Sequence, residues 1–478
     1  MMAKSDVPET APMSEAEYAD QLKRATLASS LGSALEYFDF ALYGLCTALI
    51  FNTLFFPQDN PAMATVASFA TFGVGFIARP FGGLIFGRLG DIIGRKWVLV
   101  VTIILMGGAS TAIGFLPTYD SVGMLAPILL VIARLVQGFG AGAEQTGSSV
   151  LMAEYAPVKQ RGFFAALPYI GIQAGSLMAS VAFFLLTLMP EKQLLAWGWR
   201  IPFLASFLLI LLALFIRMHL RESPTFVELK ANDQVAEHPL KELFSTGMPG
   251  LVAAFGMRMA ENGGSYMLQT LSMSYVVAVA GSNADRGVLS WGVALGALVG
   301  LFTVPFSGAL SDRFGRRVIY RAGSVFLLLF AFPAWWLLSL GNHYIAVAVV
   351  TLGVGFGVNF MLGPQCAMFP ELFGARHRYL GVAMARELSA VVAGGLAGVL
   401  GSYIIAVSNA NWMLMGVYMT VLAAVTTLST FMVPETAGRD LTRLEDAVRL
   451  PENERGDVTT RVPGVADTLG YQSVAASN

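Results

Sequence analysis

Charged residues are scarce in this sequence. Only 13% of its 478 residues are Asp, Glu, Lys or Arg, whereas soluble globular proteins carry about 25%. This shortage excludes an ordinary cytosolic enzyme. The 30 basic residues face 31 acidic ones, for a net charge of -1. Because nucleic acid binding needs a basic excess to meet the phosphates, a DNA- or RNA-binding function is also excluded.

Cysteine and histidine are rare as well. Cys46 and Cys366 lie far apart in apolar stretches, without the clustering of a disulfide framework or a zinc site. The four histidines show neither metal-ligand nor catalytic-triad spacing; they are His219, His238, His343 and His377. The sequence therefore predicts no metal, no cofactor and no enzymatic activity. We find no feature that indicates an obligate protein partner.

A cleavable leader is not recognisable at the start of the chain. Residues 1–26 are polar and lack the apolar core and small-residue cleavage site of a signal peptide. We therefore expect the first apolar stretch to be a membrane span that is retained.

Apolar residues, in contrast, are abundant: they make up 55% of the chain, enough for roughly a dozen spans of about 20 residues. The stretches lie at about 27–55, 63–86, 97–116, 122–143, 163–189, 200–219, 248–280, 287–310, 318–340, 344–368, 380–407 and 412–433. This pattern predicts an all-α membrane protein with 12 transmembrane helices. The predicted regions are an N-terminal segment (1–26), a first six-helix bundle (27–219), a linker (220–247), a second bundle (248–433) and a tail (434–478).

The basic residues predict the orientation. Lys and Arg concentrate in the N-terminal segment, in alternate loops, in the linker and in the tail, whereas the opposite loops hold only Lys192, Arg200 and Arg286. Cytoplasmic loops carry the excess of Lys and Arg. We therefore expect a multi-pass protein of the cell membrane with both termini in the cytoplasm. In the tail, Leu441, Leu444 and Val448 predict at most one short surface helix.

Two loop patterns occur once in each half of the chain. The first has glycines, an aspartate and a basic pair in the same places; its residues are Gly87, Asp91, Gly94, Arg95 and Lys96, and then Gly308, Asp312, Gly315, Arg316 and Arg317. The second is a glutamate with an arginine seven residues later; its residues are Glu154 and Arg161, and then Glu371 and Arg378. The duplication predicts two related six-helix units, as in many transporters.

The first of these loops resembles the motif by which members of the major facilitator superfamily are identified. The resemblance narrows to the metabolite:proton symporter branch, whose members take up proline or betaine, 2-oxoglutarate, citrate or shikimate. Five further segments carry it: EYFDFALYG (36–44), ARPFGG (78–83), RLVQG (134–138), WRIPF (199–203) and RESPTF (221–226). One residue departs from the pattern, because Ala143 stands before Glu144 where we expect a glycine. The resemblance implies two pseudo-symmetric bundles of six helices.

The duplicated loops are predicted to latch the two bundles together in one state of the transport cycle. Glycines allow backbones to approach closely, and the carboxylate of Asp91 can meet the positive end of a helix dipole. The alternative is a simple topology signal. It would explain one such loop but not its repetition at Asp312.

Ionisable side chains inside spans are costly and by default indicate function. In the proton-coupled sugar carriers of the superfamily, an aspartate after an aromatic residue in the first span lies near an arginine of the fourth. Asp39 and Arg134 match those places, so the resemblance implies that they couple transport to protons. A permanent structural ion pair is the alternative, and Glu36, one turn before Asp39, is the alternative proton carrier.

Three other charged residues of the spans have less specific interpretations. Arg79 precedes Pro80 near the predicted end of its helix, where an arginine can extend to the interface, so we expect a structural role. Arg386 and Glu387 could equally close the cytoplasmic gate of the transporter or contact the substrate.

The glycine-rich run from Gly138 to Gly142 indicates close helix packing.

The seventh span carries a polar stripe. Arg258, Glu261, Asn262, Ser265 and Gln269 recur at steps of three and four residues, which places them on one helix face. We expect them to line a substrate cavity, with the guanidinium of Arg258 suited to a carboxylate. Tyr37, Tyr43, Gln137, Tyr169, Gln173 and Tyr266 are predicted to complete its walls. The Gly263-Gly264 pair would let the helix bend, and polar contacts between helices are the alternative role of the stripe.

Together these features predict a secondary transporter that imports a small organic acid with protons by alternating access. Shikimate, citrate and 2-oxoglutarate are the leading candidates, and shikimate comes first because Ala260-Glu261-Asn262 resembles that subgroup. A proline or betaine carrier is the alternative; its long coiled-coil tail is not evident here. A membrane receptor on the same fold, without transport activity, also stays open. The substrate, the proton stoichiometry and the oligomeric state are not readable from the residues.

Overall fold

The computed structural model describes residues 15–57, 59, 61–219, 222–280 and 286–449. Several features of the sequence therefore lie outside the described residues. They are most of the predicted N-terminal segment (1–14), Arg221 of the RESPTF segment, and the tail from residue 450 onward.

The first half of the chain forms six long helices. They are α1 (Glu15–Cys46), α2 (Pro61–Ile93), α3 (Arg95–Phe115), α4 (Leu125–Tyr155), α5 (Arg161–Thr187) and α6 (Arg200–Met218). A π-helical turn, Thr47–Phe51, extends α1. A short linker helix, Pro224–Ala231, follows α6. Its N-terminus is capped by the Ser223 hydroxyl, which accepts from the backbone N–H of Phe226 at 3.2 Å.

The second half repeats this arrangement with three interrupted helices. They are α7 (Met248–Tyr266, Met267–Leu271 and Ser272–Ala280), α8 (Arg286–Phe314), α9 (Arg316–Leu338), α10 (His343–Leu352, Gly353–Val358 and Asn359–Leu372), α11 (Arg378–Ser389, Ala390–Gly395 and Leu396–Val407) and α12 (Trp412–Ser429). The middle segment of each interrupted helix is π-helical. Such turns are frequent at functional sites.

The prediction of an all-α membrane protein with 12 transmembrane helices is confirmed. Within the described ranges, nine helices are each long and apolar enough to cross a bilayer: α2–α6, α8–α10 and α12. The other three helices carry several of the charged residues inside spans: Glu36 and Asp39 on α1, Arg258 and Glu261 on α7, and Arg386 and Glu387 on α11. Large apolar side chains such as Leu208, Phe302 and Leu329 are exposed. Exposed apolar surface of this extent fits contact with lipid rather than with water.

Close helix packing within the first bundle depends on glycine, as the sequence predicts. A Cβ on Gly138 would lie 2.2 Å from the carbonyl oxygen of Gly75, and one on Gly142 would lie 2.1 Å from that of Arg79. These distances leave no room for a side chain, so α2 and α4 approach through their glycines. Ala143, the departure from the family pattern, is buried, and its carbonyl accepts from the Tyr379 hydroxyl at 2.9 Å.

Gly263 has a different role from the predicted bend. A Cβ there would lie 2.5 Å from Leu422 Cδ1 and 3.2 Å from the carbonyl oxygen of Ala393, so this glycine lets α7 approach α11 and α12. The irregular turn of α7 begins later, at Met267.

The two bundles meet mainly along two helix pairs, α2 with α11 and α5 with α8, and further contacts join α10 to α5 and both α10 and α11 to α4. The tail then crosses the same end of the molecule. It differs from the predicted surface helix, because Leu441 is buried against α5 and α10 side chains, and a helical turn begins only at Ala447. The Arg378 guanidinium donates to the carbonyl oxygen of Leu441, and Ala375 N–H donates to the Arg443 carbonyl at 2.8 Å.

Candidate functional site

The duplicated loops lie at one end of the molecule, which we call the latch side. Asp91, near the end of α2, is buried and accepts from the backbone N–H groups of Tyr379 and Leu380 at 3.2 and 3.0 Å. These groups belong to the first turn of α11, where the helix dipole favours a carboxylate. Asp312 repeats the contact on α5, accepting from Gly162 and Phe163 at 2.7 and 3.0 Å. Each aspartate therefore joins its own bundle to the other.

Two glutamates complete the contacts between the bundles. Glu154 lies 3.4 Å from Arg95 of its own bundle and 2.7 Å from Arg378 of the other. Glu371 mirrors it.

The ion-pair partners of Glu371 are Arg316 of its own bundle, at 3.2 Å, and Arg161 of the other bundle, at 3.1 Å. All four arginines are buried. Because the removal of one partner would leave a buried charge unpaired, we expect these pairs to stabilise the contact between the bundles on the latch side.

The other members of the loop motif act within one bundle. Gly94 and Gly315 have φ of +109° and +97°, and they form the sharp turns before α3 and α9. The side chains of Lys96 and Arg317 do not bridge the bundles here. Lys96 lies over the Trp97 ring and Arg317 donates to the Val433 carbonyl oxygen at 3.2 Å.

Sequence reasoning missed two carboxylates beside these turns. Glu222 accepts from the backbone N–H of Arg95 at 3.0 Å, at the start of α3. Glu435 accepts from that of Arg316 at 2.7 Å, at the start of α9. The sequence does contain a signal for this pair, because a glutamate follows the last helix of each half, Glu222 after α6 and Glu435 after α12. Burial raises the pKa of Glu222, against the hydrogen bonds from the backbone that lower it.

The tail adds a further buried pair on the latch side. Asp446 lies 2.9 Å from His377 Nε2 and accepts from the backbone N–H of Gly374 at 2.7 Å. Burial acts to raise the pKa of Asp446, but the His377 hydrogen bond and charge outweigh it and hold this pKa below its usual value. The tail is therefore tied to the loop between α10 and α11.

Asp39 lies inside the first bundle and is 1% exposed. The hydroxyls of Ser110 and Ser206 donate to its carboxylate, the latter at 2.8 Å. Among the described residues, Asp39 and Arg134 have no ion pair within 4.0 Å. They are linked instead through Ser110 and Gln137, whose amide donates to the Ser110 hydroxyl at 2.5 Å. The predicted neighbours are thus near each other but separated by two side chains.

Arg134 is surrounded by uncharged groups. It donates to Gln137 Oε1, and its guanidinium lies over the ring of Tyr43, 4.2 Å from the centroid. The Tyr43 hydroxyl contacts Thr71 at 2.8 Å. Gln137 and Tyr43 therefore belong to the environment of Arg134. Neither residue lines the cavity between the bundles that is described below, so their role in substrate binding stays a prediction.

Glu36 belongs to a network that crosses between the bundles. Arg79 lies 3.0 Å from Glu36 and 3.1 Å from Glu387 of α11. Gln145 also donates to Glu36, at 3.1 Å. Arg79 was expected to extend toward the membrane surface, and the two carboxylates explain why it turns inward instead.

A cavity with a volume of about 160 Å³ is lined by residues of both bundles. The first bundle contributes five polar side chains, which are Tyr37, Gln145, Tyr169, Gln173 and Ser176. The second bundle contributes seven polar or charged side chains, which are Arg258, Glu261, Asn262, Ser265, Gln269, Asn359 and Arg386. The whole predicted polar stripe of α7 therefore faces this cavity. The charged side chains in its described lining are two arginines and one glutamate, for a net charge of +1.

Tyr266 is an exception among the predicted wall residues. It does not line the cavity and is 37% exposed. One residue turns a helix by about 100°, which moves Tyr266 off the face that Ser265 and Gln269 share. The role of Tyr266 in substrate binding therefore stays a prediction that this cavity does not support.

Arg258 is held by three neighbours on the cavity wall. It lies 3.0 Å from Glu261 and donates to the Ser389 hydroxyl at 2.9 Å and to Asn262 Oδ1 at 3.1 Å. Part of the polar stripe of α7 therefore forms contacts between helices, which is the alternative role that the sequence left open.

No cluster of His, Cys, Asp and Glu suited to a metal ion occurs in the part of the chain that the structure describes.

Comparisons with known proteins agree with this architecture. The family model "Sugar (and other) transporter" matches residues 25–246 and again residues 227–447. The shikimate transporter of Escherichia coli is 36% identical over 400 residues, which cover 83% of this chain and 91% of that protein. The proline/betaine transporter of the same species is 37% identical over 432 residues, covering 88% and 85%.

A solved structure shares the fold. The proton:xylose symporter XylE of E. coli, bound to 6-bromo-6-deoxy-D-glucose, superimposes with a TM-score of 0.72 at 18% identity, and the match covers 89% of this chain and 98% of that one. The ranges matched by the family model together span residues 25–447, and the two relatives named as transporters are matched over 91% and 85% of their own length. The chain belongs to the sugar (and other) transporter family of the major facilitator superfamily, and it is a multi-pass membrane transporter.

Proposed function

We propose that this transporter takes up a small hydroxylated carboxylic acid together with protons, by alternating access, with shikimate as the leading candidate. The observation that carries the proposal is the cavity between the bundles, with its net charge of +1 and its lining of amides and hydroxyls. Charge complementarity favours an anion there. The relative named as a shikimate transporter supports the same class.

The polar lining supports a substrate with several hydroxyl groups. Asn262, Ser265, Gln269 and Gln173 each offer hydrogen-bonding atoms along the cavity wall. A site built to bond hydroxyl groups rejects analogues that lack them, because its own polar groups would then be left unpaired. Citrate and 2-oxoglutarate bring more than one negative charge to a cavity with an excess of one positive charge, so a monocarboxylate fits best.

An osmolyte such as proline or betaine is the second candidate, supported by the relative of that name. Its cationic end would need a free carboxylate in the cavity. Glu261 is the only carboxylate among the described lining residues, and Arg258 lies 3.0 Å from it. A zwitterion would therefore have to displace Arg258, which disfavours this class.

Asp39 is the proposed proton carrier. It is buried, it is bonded by hydroxyls rather than by a permanent ion pair, and Arg134 is two side chains away. Such a carboxylate can bind a proton when Arg134 is distant and release it when Arg134 approaches. A receptor without transport activity would have no use for this arrangement.

Uptake into proteoliposomes tests the proposal. We expect accumulation of labelled shikimate when the outside is acidic, less of 2-oxoglutarate and citrate, and little of proline or glycine betaine. Dissipation of the pH gradient with a protonophore should abolish accumulation. Uptake of proline alone would replace the acid by an osmolyte, and binding without uptake of any of these compounds would favour the receptor.

The proposed orientation can be tested by labelling in intact cells. Lys230 in the linker helix and Ser121 between α3 and α4 are both exposed, and they lie on opposite sides of the proposed topology. A cysteine at 230 should be protected from an impermeant thiol reagent, and one at 121 should react. The native Cys46 and Cys366 are buried. The opposite labelling pattern would invert the topology and place both termini outside.

A further inference from the structure

We propose that Arg386, rather than Arg258, binds the carboxylate of the substrate. This inference deepens the proposed function and rests on it. Both arginines line the cavity between the bundles, and the sequence had favoured Arg258. The two differ in the charges that surround them, and that difference decides which one is available to an anion.

The charge of Arg258 is already compensated. Glu261, one turn further along α7, lies 3.0 Å from its guanidinium. The Ser389 hydroxyl and Asn262 accept two further hydrogen bonds from it. A substrate carboxylate at this position would meet the like charge of Glu261, and it would have to replace bonds that already exist.

Arg386 has no such partner. It is 5% exposed, and in the part of the chain that the structure describes no carboxylate oxygen lies within 4.0 Å of its nitrogens. Its acceptors are neutral, the Tyr169 hydroxyl and Gln145 Oε1. Its Nε lacks a hydrogen-bond partner. The adjacent carboxylate, Glu387, is engaged by Arg79 at 3.1 Å.

A buried cation without a counter-ion is costly, and the cost is relieved when an anion enters beside it. The guanidinium offers a planar fork that suits a carboxylate, and its Nε–H is free to be one of the two donors. Among the described lining residues, Arg386 is therefore the arginine without an ion pair within 4.0 Å, and the carboxylates of Glu261 and Glu387 act on its charge only from further away. Its two neutral acceptors can give way to a substrate oxygen without leaving a charge unpaired.

The location of Arg386 links anion binding to both bundles. Arg386 belongs to α11, whereas Tyr169 and Gln145 belong to α5 and α4. Gln145 also donates to Glu36 at 3.1 Å. A carboxylate on Arg386 thus lies at the junction of the two bundles, where it is shared by the surfaces that separate when the transporter changes state.

Paired ligands separate a binding role from a structural one. We would measure the affinity of purified wild-type protein, Arg386→Gln and Arg258→Gln for shikimate and for its uncharged carboxamide, with proline and prolinamide as a second pair. A structural role predicts equal losses for acid and amide. The proposal predicts that Arg386→Gln lowers the affinity for the acid by about 10- to 100-fold, because a hydrogen bond between two charged groups is lost, and that it lowers the affinity for the amide by far less.

Arg258→Gln is the matched control, because both arginines line the same cavity. It should weaken acid and amide by similar factors, so that the preference for the acid persists. Equal losses in Arg386→Gln, or an acid-selective loss only in Arg258→Gln, would overturn the proposal. If the wild type binds proline but not shikimate, the proposed substrate class fails, while the proline and prolinamide pair still tests Arg386. If neither acid binds, both proposals fail.

Discussion

Asp39→Asn should abolish uphill accumulation of substrate while substrate exchange across the membrane continues. A pH difference of one unit is worth 1.36 kcal/mol per proton, which supports about tenfold accumulation. Asparagine keeps the size of the side chain and can still bond the hydroxyls of Ser110 and Ser206, because hydroxyls both donate and accept. It cannot take up a proton at neutral pH. The inside and outside concentrations should therefore become equal.

The measurement is uptake into proteoliposomes with and without a pH gradient, beside counterflow exchange at equal pH. Glu36→Gln is the matched control, because Glu36 lies one turn away on the same helix but is bonded to Arg79 at 3.0 Å. We expect Glu36→Gln to slow both transport modes and to keep accumulation. If Asp39→Asn still concentrates substrate and Glu36→Gln does not, the proton carrier is Glu36.

The helices and the latch could be predicted because the membrane imposes simple patterns. Apolar stretches of spanning length are visible in the sequence without knowledge of contacts, since each span must satisfy its own backbone hydrogen bonds. The repetition of one loop pattern likewise identified Asp91 and Asp312 as candidate residues without knowledge of their contacts. The sequence does not indicate which helix each aspartate would meet, because that depends on how the bundles dock.

The cavity was predicted less completely, and the reason is geometric. Helical periodicity placed Arg258, Glu261 and Gln269 on one face, and all three line the cavity. Periodicity acts within one helix, so it placed Glu261 one turn from Arg258. It could not show that Arg386, on α11, lines the same cavity and has no carboxylate within 4.0 Å among the described residues. It also could not show that Gln137 points to Ser110, since that contact joins α4 and α3.

The double variant Asp91→Asn and Asp312→Asn should open the latch side. Each aspartate accepts two backbone hydrogen bonds from the other bundle. Hydrogen bonds to charged groups contribute about 1.5–3 kcal/mol, and each 1.4 kcal/mol changes an equilibrium about tenfold. We therefore expect the closed population to fall by about tenfold or more per site, with the double variant mostly open.

Spin labels at exposed Arg88 and Arg313, on the latch side of α2 and α8, report this opening as a shift to longer distances. Glu222→Gln provides a matched control. Its carboxylate also bonds the backbone of a helix N-terminus, at Arg95 and Lys96, but within the first half of the chain. It should lower thermal stability and leave the label distance unchanged. If Glu222→Gln lengthens the distance as much as the aspartate variants do, the loops stabilise their own bundles and do not latch one to the other.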